Sequence, residues 1–208
     1  MDLRKVYGEC WGGEAGEWNT SLLNKYLEYM FARFLEENFE IKKDFHILNI
    51  GIGAGYWDRY LSYKVPEGKL TSIDIDTECA DNFRACLENE KNTNLIEVLC
   101  ADAMTYEFDG KYDLITMVGS VIDESGNAEK MLSKAISLLK DDGAIYLQMS
   151  RKGSGFETET FCEEHGASVE KKFVDDTYGI HAEYYRIRKN KKSGLSSDRE
   201  ARFHVENQ

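Results

Sequence analysis

Glycines at positions 51, 53 and 55 form the stretch of this 208-residue chain whose residue types and spacing best prescribe a binding chemistry. The segment reads Ile47-Leu48-Asn49-Ile50-Gly51-Ile52-Gly53-Ala54-Gly55-Tyr56-Trp57-Asp58, an apolar run that breaks into alternating glycines and then into residues compatible with a helix. Glycine lets the backbone turn sharply and lets a ligand approach with no Cβ in the way. In an open α/β sheet such a turn lies at the carboxyl end of a strand, where these sheets bind ligands. The bland alternative is a glycine turn that joins a strand to a helix and binds nothing. Asp74 weighs against it, because it ends a second apolar run, Leu70-Thr71-Ser72-Ile73-Asp74-Ile75-Asp76. It comes about 20 residues after the loop, where an acid can accept both hydroxyls of an adenosine ribose. Asp76, with Thr77 behind it, suits the N-cap of the next helix, which leaves Asp74 for the ligand.

Two classes of adenosine ligand compete for such a loop. A nicotinamide or flavin dinucleotide uses Gly-x-Gly-x-x-Gly and seats its pyrophosphate on the helix N-terminus. The third glycine of that pattern would fall at Tyr56, whose bulk blocks close helix–strand packing. Asp58 adds a negative charge in the helix's first turn, and the loop has no lysine or arginine to offset it. An adenosine ligand without a phosphate fits better, and a cationic one fits best.

Elements must hold this loop in place, and the pattern of apolar residues predicts them. A helix begins at Asn19 or Thr20 and carries Leu23, Tyr26, Leu27, Met30, Phe34 and Phe39 at three- to four-residue spacing. Strands are expected at His46–Ile50, Lys69–Ile75, Leu95–Cys100, Tyr112–Val118 and Ala144–Met149, alternating with helices at 56–63, 78–91 and 127–140. Gly143 is the expected C-cap of the last of these. A short helix at 157–165 follows, then two alternating runs, 168–174 and 181–188, around the turn-rich Asp175-Asp176-Thr177-Tyr178-Gly179. Strands alternating with helices imply a doubly wound, mostly parallel sheet covered on both faces, and the final return implies an antiparallel last strand. The chain divides into an N-terminal lid or helix segment (1–40), a core (41–189) and a polar, disordered tail (190–208).

On these residues the chain resembles the class I S-adenosylmethionine-dependent methyltransferases, from about residue 44 to residue 188. Ile47–Gly55 is similar to the family's first motif, whose glycines lie under the cofactor. Asp74 matches the acid that holds the ribose, with Ile75 placed against the adenine. Cys100-Ala101-Asp102-Ala103-Met104 resembles the segment whose aspartate meets the adenine amino group, and Tyr112–Val118 resembles the fourth strand, with Asp113 at its family position. Leu138-Leu139-Lys140-Asp141-Asp142-Gly143-Ala144-Ile145 resembles the segment that leads into the fifth. The resemblance implies a seven-stranded Rossmann-like α/β/α fold and S-adenosyl-L-methionine as cofactor. It places Asn49, Gly51, Gly53, Gly55, Asp74, Ile75, Asp102, Ala103 and Gly119 around that cofactor. Asn49 departs from the pattern, standing where the family often has an acid. The chain has one proline, Pro66, so it has no Asn-Pro-Pro-Tyr motif of the kind that marks amino-methylating enzymes of DNA adenine and protein glutamine.

A sulfonium methyl is already activated, so the enzyme mainly has to position a nucleophile, which can supply ~7–11 kcal/mol of the barrier. An alcohol or ammonium acceptor also needs a base. Ser120, Asp123 and Glu124 occupy the loop after the fourth strand; for the two acids the alternative is that they introduce the next helix. Of the four histidines, His181 alone has a plausible route to the site; His46 reads as structural, His165 as exposed and His204 as tail-borne. Asp123 and His181 are therefore weak catalytic candidates. No His, Cys and carboxylate group has metal-ligand spacing, so no metal is expected. The glycine-rich segment 7–18, with Trp11, Trp18, Glu14 and Glu17, is either a hinged lid over cofactor and acceptor or a hydrophobic staple against the following helix.

Composition narrows the acceptor. A net charge of −12, from 26 basic and 38 acidic residues, disfavours nucleic acid and anionic membrane surfaces. The expected acceptor is an O or N atom of a small molecule; a basic peptide or protein remains an alternative, as does a non-catalytic module that binds the cofactor to sense it or scaffold a partner. Arg186, Arg188, Lys189, Lys191 and Lys192 read as a solvated basic edge, with a site for an acidic partner as the alternative. Five cysteines without a C-x-x-C pair suggest reduced thiols. The first residues carry no apolar signal-peptide core, and the longest apolar-leaning run falls far short of the ~18 residues of a membrane span. The chain is expected to be cytoplasmic, as a monomer or homodimer.

Overall fold

The computed structural model describes residues 13–119, 121–150 and 156–190, together with Asp2 and Lys5. Two helices, α1 (Gly13–Thr20) and α2 (Leu22–Asn38), precede the sheet, whose strands are β1 (His46–Ile50), β2 (Lys69–Asp74), β3 (Ile96–Cys100), β4 (Tyr112–Met117), β5 (Leu139–Ser150), β6 (Ala167–Asp175) and β7 (Ala182–Lys189). Helices α3 (Tyr56–Lys64), α4 (Thr77–Glu90), α5 (Val121–Glu124), α6 (Ala128–Leu138) and α7 (Thr158–Glu164) connect them, and a 3-10 turn (Thr177–Gly179) joins β6 to β7. The strand order is β3-β2-β1-β4-β5-β7-β6. All neighbours from β3 to β5 are parallel, and β7 runs antiparallel to both β5 and β6. This is the Rossmann-like seven-stranded sheet with one reversed strand that the sequence implies. Strand order reverses between β1 and β4, which opens a crevice at their carboxyl ends.

The central strands read as unbroken apolar runs because both faces are covered. Leu48 and Ile50 face a core with Ile115, Ile145, Leu147 and the Leu132–Ala135 side of α6, while their neighbour Ile47 faces Leu70, Leu114 and Tyr146 on the other side. There α2 contributes Leu27, Met30, Phe31, Phe34 and Leu35, all buried, so the helix is part of the core. The rings of Phe34 and Tyr184 lie 5.6 Å apart, and those of Phe34 and Tyr146 5.3 Å apart.

Three local expectations change. The helix expected from Asn19 or Thr20 is two helices: Ser21 is extended, and its hydroxyl accepts from Asn24 N (3.3 Å) to cap α2. Leu23 then falls on the outer side, 37% exposed, and Phe39 is the extended residue that ends the helix. Gly143 is not a C-cap. Leu139 turns extended directly after α6 and pairs with Tyr112, and the register jumps to Leu114↔Ala144, so Lys140–Gly143 form an irregularity inside β5. Gly143 is needed there because a Cβ would meet the Tyr112 carbonyl at 2.8 Å. Residues 191–208, expected as a tail, lie outside the described residues.

Candidate functional site

Each glycine of the loop after β1 meets a requirement that no other residue meets well. Gly51, Gly53 and Gly55 have φ of +87°, +51° and +75°, the left-handed region that costs other residues roughly 1–2 kcal/mol. A Cβ on Gly51 would lie 2.5 Å from Val121 Cγ2, and one on Gly55 2.8 Å from the Phe83 ring. Gly51 N donates to Ile73 O (2.9 Å), which ties the start of the loop to β2.

Asp74 lies under this loop at the end of β2. Its Oδ2 accepts from Ile52 N (2.7 Å) and Gly53 N (3.1 Å), and its Oδ1 from Asp76 N (2.9 Å). Successive amides aimed at a carboxylate form an anion nest, here filled from within. A carboxylate offers about four lone pairs, so about one, on Oδ1, remains for a ligand hydroxyl. Two ribose bonds were expected of this carboxylate; the loop takes the place of one. Asp76 caps α4 through Glu78 N (2.8 Å), as its position suggested.

A buried polar network supports the loop from below. Trp57 Nε1 donates to Thr116 Oγ1 (3.3 Å), which donates to Asn49 Oδ1 (2.6 Å). Asn49 Nδ2 donates to both Gly51 O (2.9 Å) and Asp58 Oδ1 (2.8 Å). Asp58 therefore points inward, away from the ligand side that its place in the first turn suggested. Thr116 was missed from the sequence, although a threonine inside Leu114-Ile115-Thr116-Met117 is itself a signal. Gln148 in β5 is a second case: its Oε1 accepts from Gly119 N (2.7 Å), which fixes the loop after β4.

Around the crevice, Ile75 is 74% exposed directly beside Asp74. Asp102 Oδ1 accepts from Met104 N (2.8 Å), and Ala103 is buried against the same core as Ile73. Gly119 has φ +71° and open space where a Cβ would stand. Ser120 and Trp11, and the side chains of Glu14 and Glu17, lie outside the described residues. Trp18 packs on the α2 side of the core, its ring 6.3 Å from that of Phe31. Asn19 Nδ2 donates to Tyr56 OH (2.7 Å), so α1 is tied to the first residue of α3.

The two catalytic candidates are both engaged. Asp123 Oδ2 accepts from Ser150 N (3.0 Å) at the end of β5, and the cap of α6 is Asn127, not Asp123 or Glu124. His181 precedes β7, whose first residue pairs with Ser150, so it stands on the same carboxyl edge as the glycine loop but across β4 and β5. Its Nδ1 lies 2.6 Å from Asp176 Oδ1 and its Nε2 3.4 Å from Glu183 Oε1. The Asp176 carboxylate, with Glu183 adding to it, raises the imidazole above its ordinary pKa.

Asp113 serves the opposite edge of the sheet, accepting from His46 N (2.7 Å) and from Lys140 Nζ (2.8 Å). A cleft of about 120 Å³ between His46, Lys69, Glu97 and Tyr112 also opens at that amino edge, at the opposite end of the strands from the glycine loop. At the basic edge Arg186 and Arg188 both reach Glu170 (2.9 Å each), and Lys189 lies 4.0 Å from Asp141; Lys191 and Lys192 lie outside the described residues.

The crevice suits a ligand with adenosine and no phosphate. Ile75 offers an apolar face and Asp74 a lone pair beside it, and the loop amides that would bind a phosphate are already taken by Asp74. Two basic groups near the loop, Lys25 and Arg59, lie over the Tyr56 ring and pair with Glu28 and Glu90.

Residues 47–143 match the family model described as a methyltransferase domain. The chain is 26% identical over 202 residues to malonyl-acyl-carrier-protein O-methyltransferase 2 of Ilyobacter polytropus, covering 91% of this chain and 75% of that one. It is 25% identical over 112 residues to (S)-coclaurine N-methyltransferase of Thalictrum flavum, covering 54% of this chain and 30% of that one. Among solved structures, magnesium protoporphyrin IX methyltransferase of Synechocystis PCC 6803 with bound S-adenosylhomocysteine superposes with a TM-score of 0.68 at 14% identity, over 90% of this chain and 96% of that one. The motif order, the reversed seventh strand and these matches agree: residues 47–143 form a methyltransferase domain, in a fold shared with S-adenosylmethionine-dependent methyltransferases of known structure.

Proposed function

We propose that this methyltransferase acts on an O or N atom of a small-molecule acceptor, with the cofactor seated over the glycine loop. The observation that carries the seat is the pairing of Asp74, with a lone pair left on Oδ1, and an isoleucine exposed beside it at the reversal of strand order. Asp74 holds the ribose, Ile75, Asp102 and Ala103 bound the adenine, and Gly51, Gly53, Gly55 and Gly119 let the methionine portion approach the backbone. Asn49 serves from beneath by fixing the Gly51 carbonyl. Ser120 and Trp11 are the candidates for the acceptor side; Trp18 instead packs against Phe31 of α2.

The cofactor supplies a sulfonium methyl ready for displacement; the chain's part is to hold the acceptor in line with it and exclude water. Asp123 is occupied by the Ser150 amide, and two carboxylates favour the protonated form of His181, in which it has no free lone pair to act as a base. This favours an acceptor that arrives already nucleophilic, such as a carboxylate or phenolate. An acidic chain, with Arg186 and Arg188 engaged by Glu170, supports a small acceptor over nucleic acid.

Calorimetric titration with S-adenosylhomocysteine and, separately, NADH tests the seat. Micromolar binding of the first alone, lost in Asp74→Ala, is the expected result, and binding of NADH overturns it. Methyl-labelled cofactor with a metabolite extract tests the acceptor: label should enter the small-molecule fraction, and label confined to protein would favour a peptide acceptor instead.

A further inference from the structure

One buried titratable group has no part in this reading. Asp58 is fully buried in the first turn of α3, with Oδ1 on the Asn49 amide that also holds the Gly51 carbonyl. Its Oδ2 and Ser72 Oγ are both shut from solvent without a partner in hydrogen-bond geometry, although Ser72 is near enough to favour the charged form. A carboxyl in that setting is costly to ionise, and a cost kept beneath a ligand loop calls for an account. The groups around it are Asn49 of β1, Thr116 of β4 behind Asn49, Ser72 of β2 and Asp74 at that strand's end. Asp74 is the one charge among them, and it repels a second negative charge. The protein thus places beneath the loop an acid that no cation of its own neutralises among the described residues.

We propose that Asp58 is a positioning residue whose charge beneath the Asn49–Gly51 bond favours the cationic cofactor over its neutral product, and that protonation of Asp58 switches this preference off. The inference rests on the cofactor lying over the glycine loop. S-Adenosylmethionine and S-adenosylhomocysteine share their amino and carboxyl groups and differ by the methyl and the sulfonium charge, so the ratio of their affinities isolates the response to that charge. Burial pushes the Asp58 carboxyl up to about 7, so both forms of the group are populated near neutral pH. Asp58 brings a carboxyl to the Asn49 side chain from the neighbouring helix.

The test is the dissociation constant of each ligand from pH 5.5 to 8.5 on the full chain, wild type and Asp58→Asn. The preference for S-adenosylmethionine should rise about tenfold between pH 6 and 8 in wild type and stay flat in Asp58→Asn. The exchange Asn49→Asp with Asp58→Asn returns a carboxyl to the pair and should regain the slope. A flat wild-type ratio, or a slope that survives in Asp58→Asn, overturns the proposal. If Asp58→Asn does not fold, proton release in wild type decides, read from binding heats in phosphate and Tris at pH 6.5. More protons should leave with S-adenosylmethionine than with S-adenosylhomocysteine, and equal release overturns it. Asp74→Ala separates the two failures: if it binds both ligands as tightly as wild type, the seat is wrong; if it loses both and only the slope is missing, Asp58 alone is.

Discussion

The parallel end of the sheet, β3-β2-β1, and the antiparallel end, β5-β7-β6, bring polar groups to one edge by different means. At the parallel end the groups are mostly backbone: the amides of Ile52 and Gly53 on Asp74, and the Gly51 amide on Ile73 O. At the antiparallel end they are side chains on side chains, His181 with Asp176 and Glu183, and the same holds away from that edge, where Arg186 and Arg188 meet Glu170 and Lys172 meets Glu159 (2.8 Å). A backbone cradle tolerates little change, since each glycine answers to a fixed φ and a fixed neighbour. Paired surface side chains can be exchanged at a cost of ~0–1 kcal/mol. The rigid half is the one under the proposed cofactor seat, and the exchangeable half lies across β4 and β5 from it.

The comparison breaks first if Asp74→Ala leaves the cofactor bound. Loss of its charge-assisted bonds to loop and ligand should weaken S-adenosylhomocysteine by ~100-fold or more, measured by calorimetry. Gly55→Ala comes next: a Cβ at φ +75° and 2.8 Å from Phe83 should cost ~2–4 kcal/mol in denaturant unfolding. Asp58→Asn should work in the other direction. The folded-state pKa of Asp58 is raised to about 7, so the folded chain binds this proton more tightly than the unfolded one, and wild type loses that stability as pH rises toward and through 7. The variant should therefore gain on wild type from pH 5 to pH 8, by on the order of 2–4 kcal/mol at the alkaline end.

At the antiparallel end the expected effects are smaller. If His181 acts as a base, kcat/KM should climb on the alkaline side of the ordinary histidine range, because Asp176 and Glu183 hold it protonated below that. His181→Asn should flatten that limb and leave cofactor affinity unchanged. Glu170→Ala, which frees two arginines, should cost less than ~1 kcal/mol and also leave cofactor binding alone. A change in cofactor affinity from either variant would erase the distinction between the two ends.

The sequence was legible where a residue type had one physical use. His46–Ile50 is the strand expected, since an apolar run must end where the glycines let the chain turn, and Asp76 caps its helix because an aspartate just before a helix does so at low cost. It was illegible where a tertiary contact chose between equal local options. Ser21, Asn19 and Thr20 are all acceptable N-caps, and the choice fell to Ser21 once α1 was tied to Tyr56. Gly143 suits a helix end as well as a strand, and pairing of Leu139 with Tyr112 decided for the strand. At the site, the orientation of Asp58 could not be read from its place in the first turn; the Asn49 amide set it. Asp123 likewise found its partner, Ser150, in a strand that begins 16 residues later in the chain.

The place of β7 has a consequence for how the chain is made. It is the later strand of its hairpin, yet it lies inside the sheet, between β5 and β6, and β6 has no other neighbour. A ribosome delivers residues in order, at roughly 5–20 per second. The parallel strands can therefore assemble while synthesis continues, but β6 has nowhere to dock until Ala182–Lys189 has emerged. Until then the outer edge of β5 stands open, with Tyr146 and Leu147 uncovered, so truncation before Ala182 should yield a chain that seeks that missing strand from its neighbours.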